Sequence, residues 1–161
     1  MKNNIKTMLL ATILILAVLT VTGCSSSNKP RISDTISTND VLRTNNQKAI
    51  TVKAYLLNPI SEVGPELTFE LIIDTHSVEI STYDILLNVS IITESGISLT
   101  GKDFLWESTS KESHHLSGLL IVPQEIVKLG PSLGELSLEL YDLGSVPVRK
   151  LVWEPELLFN K

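Results

Sequence analysis

The sequence predicts an all-β fold, an immunoglobulin-like antiparallel β-sandwich of about seven or eight strands. Three observations carry that expectation. Short apolar segments recur from residue 49 onward, several alternate apolar with polar residues at the period of two that a half-buried strand requires, and turn-forming residues separate them. Ile50, Val52, Ala54 and Leu56 alternate with Thr51, Lys53 and Tyr55, and Asn58-Pro59 ends the run. Leu67, Phe69, Leu71 and Ile73 alternate with Thr68, Glu70, Ile72 and Asp74, which gives one buried face and one mostly wet face. Ile85 to Ile92 is apolar on both parities, as a central strand would be, and leaves through Thr93-Glu94-Ser95-Gly96 into the short segment Ile97 to Leu99. Phe104 to Glu107, Leu116 to Val122, Glu135 to Tyr141 and Val148 to Trp153 complete the set at spacings expected of a sandwich. Leu133, Leu136, Leu140 and Leu143 also stand at helical spacing ahead of Gly144, so a helix is the alternative there. Strand is preferred because Gly130-Pro131 precedes the segment and its neighbours are strands. Gln124 to Leu129, between Pro123 and Gly130-Pro131, suits a single helical turn.

The N-terminal 23 residues have the order of a secretory signal peptide. Lys2 and Lys6 precede an apolar run of 14 residues, Met8 to Val21, which ends in Val21-Thr22-Gly23-Cys24. A membrane-spanning helix needs roughly 20 apolar residues, so the run is short for a stable span. Val21 to Cys24 resembles the lipobox of bacterial lipoproteins: an aliphatic residue, a small residue, glycine or alanine, and cysteine. That resemblance implies cleavage before Cys24 and lipid on its sulfur, which would hold the protein to the membrane while the rest stands outside the cytoplasm. Ser25 leaves both the cell membrane and an outer membrane open as the anchoring site. Residues 24–48 are rich in serine, threonine and asparagine and read as a flexible tether, with an r.m.s. span of about 25–30 Å. The sandwich domain is expected over 49–161.

Composition narrows the chemistry. Cys24 is the single cysteine and both methionines, Met1 and Met8, precede it, so the mature chain has no disulfide, free thiol or thioether. Thiol redox catalysis and cysteine-built zinc or blue-copper sites are thereby excluded. Loss of Lys2 and Lys6 with the signal takes the formal net charge from −5 to about −7, which phosphate backbones repel, so no nucleic-acid partner is expected. No GxSxG elbow, phosphate-cradling glycine loop or HExxH helix occurs, and the chain is not expected to be an enzyme.

The three histidines, His76, His114 and His115, fall in expected loops or strand ends. His76 follows the Leu67 strand on its wet face, and His114-His115 follows a polar connection that lets both rings turn the same way. If these loops meet, the imidazoles with Asp74, Asp84, Glu107 or Glu112 would suit zinc, nickel or copper(II), although their spacing matches no metal motif. Trp106 and Trp153 are expected to fill the core or its margin, and Arg149 to form an exposed pair with an acid on an adjacent strand.

The succession Asp74-Thr75-His76-Ser77, Tyr83-Asp84, Trp106-Glu107, His114-His115, Ser117-Gly118-Leu119-Leu120, Pro123, Val146-Pro147-Val148-Arg149 and Val152-Trp153-Glu154 resembles a module of uncharacterised secreted and lipid-anchored proteins of bacteria and archaea. The resemblance spans about residues 49–156. It implies an immunoglobulin-like or related sandwich and a polar site shared by the histidines and Trp106. Ser110-Lys111-Glu112-Ser113 departs from it, since similar sequences are glycine-rich before the double histidine. The expected function is an interaction or structural module at the cell envelope, with an envelope protein as partner. The alternative is a metal- or small-ligand-binding lipoprotein that uses His76, His114 and His115.

Overall fold

The computed structural model describes residues 36–124 and 133–159. A short helix α1 (Thr38–Val41) leads into β1 (Leu42–Gln47), β2 (Ile50–Leu56), β3 (Leu67–Thr75), β4 (Val89–Thr93), β5 (Ser98–Thr100), β6 (Leu105–Lys111), β7 (His115–Val122), β8 (Leu136–Leu143) and β9 (Val146–Trp153), with α2 (Pro155–Phe159) at the end. All pairings are antiparallel, in a five-stranded sheet β1-β2-β3-β7-β6 and a four-stranded sheet β5-β4-β8-β9. Leaving β1 aside, the first sheet has the immunoglobulin A-B-E-D order and the second the C′-C-F-G order, so the protein is an immunoglobulin-like β-sandwich with one strand added at the A edge. Among the described residues no helix is long and apolar enough to cross a membrane.

The period-two segments form strands because each has one face of branched and aromatic side chains to bury. β2 buries Ile50, Val52, Ala54 and Leu56, and β3 buries Leu67, Phe69, Leu71 and Ile73. β7 contributes Leu116, Leu120 and Val122, and Leu136, Leu138 and Leu140 of β8 face them from the other sheet. The segment over 135–143 is therefore a strand: its leucines fit both periods, and pairing with β4 and β9 satisfies its backbone on both sides.

The structure corrects four expectations. Nine strands are present among the described residues, and α1 and the first strand lie inside the span expected to be tether. β1 carries the polar sequence LRTNNQ; its place comes from backbone pairing with β2, from Val41 buried at its root, and from packing against β9. Ile85 to Ile92 is no single strand, because Ile85–Leu87 form a turn and pairing begins only at Val89. Asp84 causes this: its Oδ1 accepts the Leu87 N–H at 3.2 Å and its carbonyl accepts Asn88 Nδ2 at 2.8 Å, an alternative to ladder bonding. Arg149, expected at the surface, is fully buried. The signal segment, Cys24 and residues 125–129 of the expected helical turn lie outside the described residues.

Candidate loop-end site

Register places four connections at one end of the sandwich. Gln47 opposes Ile50, Ile50 opposes Thr75, Asp74 opposes His115, and Leu143 opposes Val146. The β1–β2 turn, the long β3–β4 loop, the β6–β7 turn and the β8–β9 turn therefore cluster there, with the start of β4. Both hairpins β1–β2 and β8–β9 close with two residues at positive φ, Lys48-Ala49 and Gly144-Ser145, the geometry that suits strand twist. Gly144 is required on a second count, because a Cβ there would stand 2.3 Å from Ile50 Cδ1.

The three histidines meet at this end. Asp74, His76, Glu112, His114 and His115 line one recess of about 440 Å³. Asp74 and His115 are direct neighbours on the outer face of β3 and β7, and His115 Nδ1–H donates to Asp74 Oδ1. His114 Nδ1–H donates to the Val78 carbonyl at 3.0 Å, and Ile80 N–H donates to the Ser113 carbonyl at 2.8 Å, so the β6–β7 turn is bonded to the β3–β4 loop. These bonds set the tautomers and leave Nε2 of each ring as the atom a ligand would meet. Yet among the described residues no three His, Cys, Asp or Glu side chains stand close enough to share one ion. The recess therefore carries polar groups for a ligand or partner and no assembled set for zinc, nickel or copper(II), which take three or four protein ligands.

Three residues named with the histidines stand elsewhere. Trp106 and Glu107 lie on β6 opposite Leu120 and Leu119, five and four residues along β7 from His115. Trp106 is half-buried against Gly118, where an added Cβ would meet its ring at 2.8 Å, so the site implied to be shared by the histidines and Trp106 does not form. Asp84 belongs to a second recess of about 410 Å³ at the same end, between the β3–β4 loop and the β8–β9 turn, with Glu79, Leu87 and Asp142. Glu79, accepting from Ser81, is held below the usual carboxylate range.

Leu87 is a surface residue that the sequence pattern conceals, because Ile85 to Ile92 has the composition of a strand. Its side chain is 81% exposed, and its backbone is held by Asp84. The loop around it is pinned on the far side too: Tyr141 N–H donates to the Asn88 carbonyl at 2.8 Å and Tyr83 Oη–H to the Tyr141 carbonyl at 2.7 Å. The Asp84-to-Asn88 spacing, with polar residues flanking three apolar ones, was the available signal. A large apolar side chain on a braced loop binds with little ordering cost, the property of a preorganised contact.

Burial raises the Tyr83 hydroxyl above its ordinary value of 10, with Asp142 adding to the rise and Arg149 opposing it. The folded protein thus keeps the phenol neutral where the unfolded chain would ionise it. Its stabilising contribution is complete below pH 10 and is lost as the pH climbs beyond that value. Tyr83→Phe is expected to flatten this alkaline loss and to cost about 1 kcal/mol at neutral pH for the missing hydrogen bond. Urea midpoints of both proteins, measured across the alkaline range, check both parts.

No protein-family model matches the chain, and neither does any curated protein or any solved structure. The class assigned to the fold rests on strand order and register, and the candidate site on its own geometry.

Proposed function

We propose that the protein is an envelope lipoprotein whose immunoglobulin-like sandwich presents its loop end to a protein partner outside the cytoplasm. The carrying observation is polarity of the fold. The chain enters β1 at Leu42, opposite Tyr55 near the end of β2, whereas the histidine recess and Leu87 lie at the other end of the sheets. β1 alone spans about 20 Å. An anchor on Cys24 would attach through the tether to the near end and leave the loops free to face away from the membrane. Cys24 with Val21-Thr22-Gly23 supports the anchor, and the braced, exposed Leu87 beside the polar recess supports the interface. Two of these connections, β3–β4 (B–C) and β8–β9 (F–G), have counterparts that carry recognition in antibody variable domains, which shows only that such an end tolerates that use.

Two measurements on protein made in its bacterial host test the reading. Mass spectrometry is expected to show a mature chain that begins at lipid-modified Cys24. A photo-reactive residue at Leu87 is expected to cross-link one envelope protein, while the same residue at Glu66, on the β2–β3 loop at the near end, yields no such adduct. An intact, unmodified N-terminus overturns the anchoring, and no adduct at Leu87, or equal adducts at both positions, overturns the interface.

A further inference from the structure

At the other end of the four-stranded sheet, strand register lines up three acids. Leu136 opposes Thr93 on one side and Trp153 on the other, so one residue further along, just past the ends of β4, β8 and β9, Glu135 stands between Glu94 and Glu154. The first pair is bonded directly: Glu94 N–H donates to the Glu135 carbonyl at 2.9 Å, and Glu94 Oε2 accepts the Glu135 N–H at 3.3 Å. Like charges directly opposite one another destabilise a sheet, as Glu94 and Glu135 do here, and Glu154 lines the same recess as both. Lys150 Nζ lies 3.9 Å from Glu139 Oε1 and pairs there.

A second, independent feature points into the same place. Ser137 follows Glu135 on the same face, between Ile92 and Val152, and is only 2% exposed. Its Oγ is the one buried side-chain polar atom among the described residues without a hydrogen-bond partner. Buried hydroxyls are almost always satisfied by protein, water or an ion, and an exception asks for a cause. Ser137, Glu94, Glu135 and Glu154 all line one recess of about 450 Å³, with Lys150 as the one basic residue of its lining.

We propose that this recess binds a hard divalent cation of the calcium type, with the carboxylates of Glu94, Glu135 and Glu154 and the Ser137 hydroxyl as its protein ligands. All the donors are oxygen, which selects a hard ion over zinc, nickel or copper. Adjacent strands lie about 4.8 Å apart, so glutamate side chains from three of them can converge on one point above the middle strand. No three acids already stand at ion distance, so binding would draw them together. Calcium tolerates such irregular oxygen sets, whereas magnesium demands a near-ideal octahedron. Part of the binding energy goes into ordering exposed side chains, which places the affinity in the weak range of extracellular calcium modules, on the order of 0.1–1 mM. The site is separate from the loop-end surface and does not depend on it.

The test uses the full chain, purified in detergent and stripped with chelator, titrated with calcium chloride by calorimetry and by thermal unfolding. One saturable site and a rise in melting temperature are expected. Glu135→Gln should weaken binding about tenfold or more while leaving the cation-free protein as stable or more so, because it relieves the row of like charges. Ser137→Ala should weaken binding without lowering the stability of the cation-free protein. Glu154→Gln, at the open end of the row, repeats the test should Glu135→Gln fail to fold. Absence of saturable binding up to about 10 mM calcium overturns the proposal, as does equal binding by the variants. An equal rise in melting temperature with potassium chloride at matched ionic strength also overturns it, since that result means charge screening alone.

Discussion

Replacing Arg149 with methionine is expected to lower the folding free energy by roughly 3 kcal/mol or more, read as a shift of the urea midpoint with an unchanged slope. Arg149 points inward from β9 beside Leu151 and is fully buried. Its guanidinium donates to four oxygens: the Leu143 carbonyl at 3.2 Å, Asn45 Oδ1 at 3.1 Å, the Ile50 carbonyl at 3.3 Å and the Gln47 carbonyl at 2.9 Å. Three elements are thereby joined by one side chain: β1, the start of β2 and the close of β8. Burial pulls the guanidinium below its ordinary pKa, and the nearby Tyr83 opposes that shift. Methionine fills a similar volume but orphans the acceptors, each at a cost of about 1–3 kcal/mol if it stays buried. Arg149→Lys should do no better, since an ammonium has three donors at one point and cannot span a fork of four. A midpoint within about 0.5 kcal/mol of the unmodified protein for Arg149→Met would show that the clamp contributes nothing.

This residue also shows where a sequence stops being readable. Arg149 alternates correctly with Leu151 and Trp153 on the inward face of β9, but a charge at that parity reads as a strand-edge residue facing water. The oxygens that reverse the reading belong to residues as much as about a hundred positions earlier. β1 was hidden for a related reason. Its side chains are polar, so it has no hydrophobic period, and it is placed by backbone bonds to β2 and by the Arg149 clamp. Leu67–Asp74 was legible in full because burying one face of that segment decides both its period and its register. The histidines lay halfway between these cases. Turn chemistry located all three in loops or at strand ends, and their gathering into one recess followed from the pairing of Asp74 with His115. The separation of Trp106 from them followed from register, which no local pattern discloses. The acid row across β4, β8 and β9 is register alone: Glu94, Glu135 and Glu154 are unremarkable in sequence and neighbours only once the strands pair.

Trp153→Ala should be among the most destabilising single changes in the fold, at about 3–5 kcal/mol. Trp153 closes β9 with no exposed surface, at the end where the chain enters the sandwich. Its indole N–H donates to the Val41 carbonyl at 2.7 Å, its ring meets Phe69 at 5.2 Å between centroids with the planes tilted by 48°, and the Arg43 guanidinium lies 5.8 Å from its centroid. Arg43 in turn donates from Nε to the Val152 carbonyl and from Nη1 to the Asp40 and Leu42 carbonyls. The tryptophan thus ties the root of β1 to the far sheet by packing, one hydrogen bond and a cation–π contact. Alanine removes all three and leaves a cavity that rigid strands on both sides cannot collapse to fill. Trp153→Phe separates the contributions: it keeps an aromatic ring beside Phe69 and Arg43 and loses chiefly the bond to Val41, so about 1–3 kcal/mol is expected. If Trp153 matters through that bond, hydrogen exchange at β1 should accelerate in both variants. Exchange that rises only in the alanine variant would assign the effect to packing alone and leave the entry of the chain held by Val41 and Arg43.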